Sequence, residues 1–128
     1  MNTMLAVEVE SLPNAYNDEV YRAVLYVLCD PKSKPVSGIM ITGVGVDVKG
    51  SSDRWPFVIL KDGRGDYGKD FNSPLARFFE TNLRSKTMKP LELFTVHSPD
   101  PEQVARQIET TFRIRKTTAL AGPKAKLN

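Results

Sequence analysis

The run Lys61-Asp62-Gly63-Arg64-Gly65-Asp66-Tyr67-Gly68-Lys69-Asp70 concentrates more groups capable of chemistry than any other stretch of this chain. Its glycines would let backbone N–H groups approach phosphate oxygens, and Lys61, Arg64 and Lys69 could supply counter-charge. Asp62, Asp66 and Asp70 oppose an anion unless a divalent metal stands between them. The spacing fits neither the nucleotide P-loop nor the dinucleotide fingerprint, and it lacks the ligand order and terminal glutamate of a calcium loop. The residues therefore read as a polar connection or as an anion or nucleic-acid contact loop, with no resident cofactor or metal expected.

A second constellation is basic and aromatic. Arg54, Trp55, Phe57, Lys61 and Arg64 lie on and beside one apolar strand, with Tyr67 and Lys69 close by. Aromatic rings can stack on bases while lysine and arginine neutralise phosphates. Arg106, Arg113, Arg115 and Lys116 extend the basic set near the C-terminus. The opposing reading is that Trp55, Phe57 and Ile59 are core, because Pro56, Val58 and Leu60 make the other face of that strand apolar as well.

Other candidates are isolated. His97 is the only histidine, without a sequence-evident partner for acid–base work. Cys29, the only cysteine, sits among Tyr26, Val27 and Leu28 and reads as a buried, inert thiol. Asp47 and Glu92 show no spacing that makes them an acid–base pair.

These residues need elements to hold them. Met4 to Glu10 alternates apolar and polar and predicts a half-buried strand. Val20 to Cys29 is nearly all apolar and valine-rich, which predicts a doubly buried strand; its i, i+3, i+4 spacing leaves a helix as the alternative. Gly38 to Val48 predicts a long strand with Gly43 and Gly45 on one face, covered by a neighbouring aromatic or leaving a shallow groove. Trp55 to Lys61 predicts another. Ser73-Pro74 reads as a helix start, with Leu75, Phe78, Phe79 and Leu83 as its buried stripe and Arg77, Glu80, Thr81 and Arg84 facing out. Leu91 to Val96 predicts a strand. Asp100-Pro101 with Gln103 reads as the capping box of a last helix that buries Val104, Ala105, Ile108 and Phe112.

The fold class so predicted is α+β: an antiparallel sheet of four to five strands with two C-terminal helices, or, with a helix at 20–29, a ferredoxin-like β-α-β-β-α-β order plus a final helix. Residues 1–116 would form the single domain and 117–128 a mobile basic tail.

The length of 128 residues suits one domain with a real hydrophobic core. No apolar run approaches the roughly 18 residues of a membrane-spanning helix. The first residues lack the basic region of a signal peptide, and a cytoplasmic or otherwise intracellular setting is expected. Net charge is +3, but residues 1–53 hold four basic and seven acidic residues while 54–128 hold fourteen and eight. That asymmetry hints at a polyanionic partner. The expected function is a non-enzymatic nucleic-acid-associated protein or assembly factor that contacts RNA or single-stranded DNA through backbone charge. Arg54, Lys61, Arg64, Tyr67, Lys69, Arg106, Arg113, Arg115 and Lys116 would carry the contact. A homodimer is expected because exposed apolar strands need cover. The alternatives are a small-molecule binder or small enzyme that takes a phosphorylated ligand at loop 62–70, and a protein–protein adaptor.

Overall fold

Alternation with a period of two, rather than helical spacing, governs the regular elements among the described residues. In the computed structural model, which describes residues 1–13, 20–46, 54–69, 71, 77–100 and 106–120, eight antiparallel strands close into a barrel. They are β1 Thr3–Ser11, β2 Arg22–Cys29, β3 Ile41–Val46, β4 Arg54–Ile59, β5 Arg64–Asp66, β6 Phe78–Thr81, β7 Leu93–Pro99 and β8 Gln107–Ala119. Each strand pairs with the next, and β8 closes on β1 from Leu5↔Ala119 to Ser11↔Phe112. The protein is all-β, not α+β. Among the described residues the one helical turn is Leu83–Ser85.

Both expected C-terminal helices are strands, and each error has a physical cause. Phe78 and Phe79 look like neighbours on a helical stripe. On β6 they point to opposite sides: Phe79 is 5% exposed in the interior, while Phe78 lies outside between the guanidinium groups of Arg64 and Arg77, 4.9 and 4.7 Å from its ring centroid. The helix start at Ser73-Pro74 and its Leu75 fall outside the described residues. In β8 the inward positions are Ile108, Thr110, Phe112 and Ile114. Threonine suits a pleated strand well, but counted as polar it hides the alternation. Pro101, Gln103, Val104 and Ala105 lie outside the described residues, and Asp100 makes contacts across to the start of β8. Its N–H donates to the Arg106 carbonyl at 2.9 Å and its carboxylate meets the Arg106 guanidinium at 2.9 Å, tying the end of β7 to the start of β8.

Val20–Cys29 is strand from Arg22 onward, paired on both sides, so the ferredoxin-like alternative fails with the helices. The Gly-rich stretch holds β5, a strand absent from the sequence reading. β8 continues to Ala119, and the Leu120 N–H donates to the Met4 carbonyl; residues 121–128 of the expected tail lie outside the described residues.

The interior is set by glycines that face aromatics. Directly across the strand pairs stand Gly43↔Phe57, Gly45↔Trp55 and Gly65↔Phe79. A Cβ on Gly43 would stand 2.5 Å from Phe57 Cζ and 2.8 Å from Leu25 Cδ2, and one on Gly65 would fall inside the Phe79 ring. Glycine is required at 43 and 65 because the Phe57 and Phe79 rings occupy the space a Cβ would take, whereas at Gly45 a Cβ would stand 3.3 Å from Trp55, a tight but adjustable contact.

One end of the barrel is plugged. Leu83 and Met88 are fully buried against Val27, Ile41, Ile59 and Ile114. Arg84, expected on a solvent face, instead donates to three carbonyls: Leu60 at 2.9 Å, Ile39 at 2.7 Å and Ile59 at 3.1 Å. Its guanidinium thereby fastens the plug to the ends of β3 and β4, where backbone acceptors would otherwise lack partners. Cys29 is buried at the same end, its thiol pushed up to about 11 by burial and then by the Asp30 charge, so the expectation of an inert thiol fits its setting.

A methyl at position 65 tests the glycine–aromatic constraint. Gly65→Ala should lower stability by about 1–3 kcal/mol in urea unfolding, the scale of overpacking a filled core. Gly65→Ala with Phe79→Leu should lose less than the two single changes added together. Strict additivity would show that the ring does not fix the glycine.

Candidate ligand cavity

Above the plug the interior is not filled. The inward faces of the strands enclose a cavity of about 320 Å³ toward the opposite end of the barrel. Its walls are mainly aromatic: Trp55 and Phe57 from β4, Tyr67 just after β5, Phe79 from β6, Phe94 from β7 and Phe112 from β8. Phe94 and Phe112 stack across the β7–β8 pair at 5.5 Å. Phe57 meets Phe79 and Tyr67 edge-on, both at 5.7 Å, and Phe71 stacks on Tyr67 at 4.5 Å. Burial raises the Tyr67 hydroxyl above its ordinary value, so that group stays protonated.

Polar lining is sparse. Thr81, Ser98 and Thr110 contribute hydroxyls from three adjacent strands, and the Thr81 hydroxyl already donates to the Thr95 carbonyl at 2.8 Å. Tyr21 and Arg22 stand at the rim and remain largely exposed. The described lining contains no carboxylate, imidazole or thiol. No group of His, Cys, Asp and Glu suited to a metal occurs among the described residues, and no buried side-chain nitrogen or oxygen there lacks a partner. His97 faces outward from β7, with its Nε2 3.4 Å from Glu109 across the β7–β8 pair.

The residues expected to contact nucleic acid are not brought together. Arg54 opens β4, Lys61 lies in the turn after that strand, and Arg64 sits on the outer side of β5. Arg113, Arg115 and Lys116 belong to β8, which in a ring of eight strands lies across the barrel from β4 and β5. Arg106 is held by Asp100. Lys69 is exposed beyond β5, and Tyr67 is inside the barrel.

In the described part of loop 62–70, four amides that a phosphate cradle would use are committed within the chain. The Gly63 N–H donates to the Leu60 carbonyl at 3.0 Å, that of Arg64 to the Asp62 carboxylate at 3.0 Å, that of Tyr67 to the Arg77 carbonyl at 2.9 Å, and that of Gly68 to the Asp66 carboxylate at 2.7 Å. Asp66 is further held by a two-pronged contact from Arg77, at 2.8 and 3.0 Å. That hydrogen bonding holds its carboxyl below the ordinary value of 3.8.

One charged cluster escaped the sequence reading. Glu10, on the outer face of β1, faces three arginines: Arg113 at 2.8 Å, Arg115 at 3.4 Å and Arg22 at 3.9 Å. A bulge places it. Glu8 pairs with Lys116 and Val9 with Ile114, so Arg115 is the extra residue and Arg115 and Lys116 both stay exposed outside. Strand alternation in 107–114 together with that in 4–10 could have indicated the pairing; the bulge has no sequence signature of its own. The Arg113 hydrogen bond is the main cause of a carboxyl held below its ordinary value of 4.5.

A lowered folded-state value means that the stabilisation is present above the unfolded value and lost as pH falls through the folded one. Replacing Glu10 by Gln should therefore cost about 1 kcal/mol at neutral pH, the scale of a charge-assisted hydrogen bond with exposed partners. The wild type and E10Q should converge as pH drops well below 4.5. Urea midpoints across that pH range check it; a gap that persists in acid would assign the effect to packing.

No protein-family model matches this chain, and no curated protein or solved structure is significantly similar to it.

Proposed function

We propose that this protein binds one compact, largely apolar small molecule inside its barrel. The observation that carries the reading is the 320 Å³ cavity ringed by aromatic side chains. Ligand pockets begin at roughly 300 Å³ and are mostly apolar with a few placed polar groups. Eight strands make a barrel whose interior is either filled or holds one small ligand, and the glycine–aromatic pairs leave this one unfilled above its plug. A lining without carboxylate, imidazole or thiol supports capture or carriage of the ligand rather than its conversion.

The walls argue for an aqueous setting. Their outward positions include Glu8, Arg64, Glu80, Arg113 and Lys116, whereas the interior is apolar, the inverse of a membrane-spanning barrel. No helix among the described residues is long and apolar enough to cross a membrane. The lone, buried thiol of Cys29 makes an intracellular location part of the proposal.

Contact with RNA or single-stranded DNA has less behind it. Its aromatics Trp55, Phe57 and Tyr67 line the cavity, and its basic residues sit on opposite walls or face Glu10 and Asp100. The reason for expecting a homodimer also lapses, because a closed barrel leaves no strand edge to cover.

The neutral fluorophore N-phenyl-1-naphthylamine tests the reading. It should bind saturably at one per chain, with a blue-shifted, enhanced emission, and should raise the thermal midpoint with concentration. Ala23→Phe or Thr110→Phe, each filling the cavity from its wall, should weaken binding by about tenfold or more, a loss of ~1.4 kcal/mol. Circular dichroism would establish that these variants keep the barrel. Undiminished binding in both folded variants, or no saturable binding by the wild type, would refute the proposal.

A further inference from the structure

We propose that the molecule held in the barrel is a neutral, oxygen-bearing ring compound: an apolar body with one hydroxyl or carbonyl group, received by the Ser98 and Thr110 hydroxyls. This rests on the reading of the cavity as a ligand site and adds the ligand's polar group to it.

Strand alternation turns both hydroxyls inward. On β7, Ser98 shares its face with Phe94, which is 4% exposed in the core. On β8, Thr110 shares its face with Ile114, which is fully buried. Both side chains line the cavity. The inward row Thr81↔Val96↔Thr110 runs across β6, β7 and β8, and Ser98↔Ile108 is the next inward pair toward the mouth.

These two hydroxyls differ from the others of the interior in being uncommitted. The Ser11 hydroxyl accepts from the Tyr21 N–H at 2.7 Å, and the Thr81 hydroxyl donates to the Thr95 carbonyl at 2.8 Å. Among the described residues, the Ser98 and Thr110 hydroxyls make no hydrogen bond within the protein. No enclosed side-chain oxygen there lacks a partner, so these two open onto accessible space rather than into packed core. They are diagonal neighbours across β7 and β8, with Cβ atoms on the order of 7 Å apart. That separation is too wide for one hydroxyl to satisfy the other, and one ligand oxygen between them can bond to both.

The rest of the chamber fixes what that oxygen is attached to. In a ring of eight strands, β3 and β4 stand across the lumen from β7 and β8. They offer glycine backbone and the rings of Trp55 and Phe57, against which an apolar body packs. A molecule lying there turns its oxygen toward Ser98 and Thr110. Charge is excluded by the same alternation. Arg22 reaches the rim of the cavity, but Leu25 and Val27 are inward residues of β2, so Arg22 belongs to the outer row with Glu10. Among the described residues no inward strand position carries a charge. An ion inside would be unpaired and costly to bury.

Three probes of one ring skeleton, naphthalene, 2-naphthol and 2-naphthoate, separate the possibilities on the intact protein by displacing N-phenyl-1-naphthylamine near neutral pH. In a wholly apolar chamber 2-naphthol would bind less tightly than naphthalene, because its hydroxyl loses water and gains no partner. Bonded to Ser98 and Thr110, it should instead bind about threefold to tenfold more tightly than naphthalene, and 2-naphthoate more weakly than 2-naphthol. The double variant Ser98→Ala with Thr110→Val should bring the ratio of 2-naphthol to naphthalene affinity to one or below, and each single variant part of the way. Circular dichroism would establish that they keep the barrel; if the double variant does not fold, the single ones decide. Wild-type binding of 2-naphthol no tighter than naphthalene, tightest binding by 2-naphthoate, or displacement by none of the three overturns the proposal and leaves the cavity reading standing. A ratio that survives in the folded variants also overturns it, because the oxygen is then received elsewhere. Failure of N-phenyl-1-naphthylamine itself to bind refutes the cavity reading and this inference together.

Discussion

Three inward glycines set directly across from three inward aromatic rings are the constraint on which the rest of this barrel depends. Gly43 and Gly65 give up a side chain so that Phe57 and Phe79 lie against the wall opposite, and Gly45 leaves Trp55 close contact at a less demanding 3.3 Å. With larger residues at those positions the rings would be driven toward the barrel axis. Set back, they form a continuous aromatic lining with Tyr67 and Phe71, and the axis stays clear. The cavity is thus a consequence of backbone approach and not of a missing residue.

The two ends of the barrel divide the work. At the closed end, Leu83 and Met88 fill the lumen, and Arg84 binds three carbonyls that the strand ladders leave over. Those contacts involve no carboxylate or imidazole and so do not depend on pH near neutrality. At the mouth, cohesion comes from ion pairs instead: Glu10 with its arginines, Asp66 with Arg77, Asp100 with Arg106. Ion pairs of this kind add little net stability. On the proposed function, a rim held by contacts that exchange with water suits the entry of a ligand, while the plug preserves the shape beneath it.

Much of the strand content was legible in the sequence, and the architecture was not. Met4 to Glu10 alternates visibly, and Val20 to Cys29 and Trp55 to Lys61 carry the β-branched and aromatic residues of buried strands. The adjacent phenylalanines of β6 and the threonines of β8 imitated helical stripes, and Ser-Pro and Asp-Pro supplied apparent helix starts. In Asp100 the same side chain that would cap a helix closes a hairpin by gripping Arg106. Of the candidate site, the burial of Trp55 and Phe57 could be read from the apolar faces of their strand, and the cover over Gly43 and Gly45 was one of two open readings. The cavity could not be read, because it exists only once Phe94 and Phe112 from the far end of the chain stand beside those rings. Closure is a matter of register between distant strands, and single-strand patterns carry no register.

That closure has a kinetic side. β8 pairs with β1 from Phe112 to Ala119, so the ladder that completes the ring joins the first strand to the last. Loop entropy must be met before that ladder contributes anything, which places folding among the slow, high-contact-order topologies. Until it forms, the sheet has two raw edges and an apolar trough open to water, the features that draw partly folded chains into aggregates. The bulge at Arg115 lies in this last ladder, and Arg113, Arg115 and Lys116 stand on or beside the unclosed edge. Positive charge along an unpaired strand discourages a second chain from adding to it, so the residues that embrace Glu10 in the finished barrel also guard the edge while the barrel is still open.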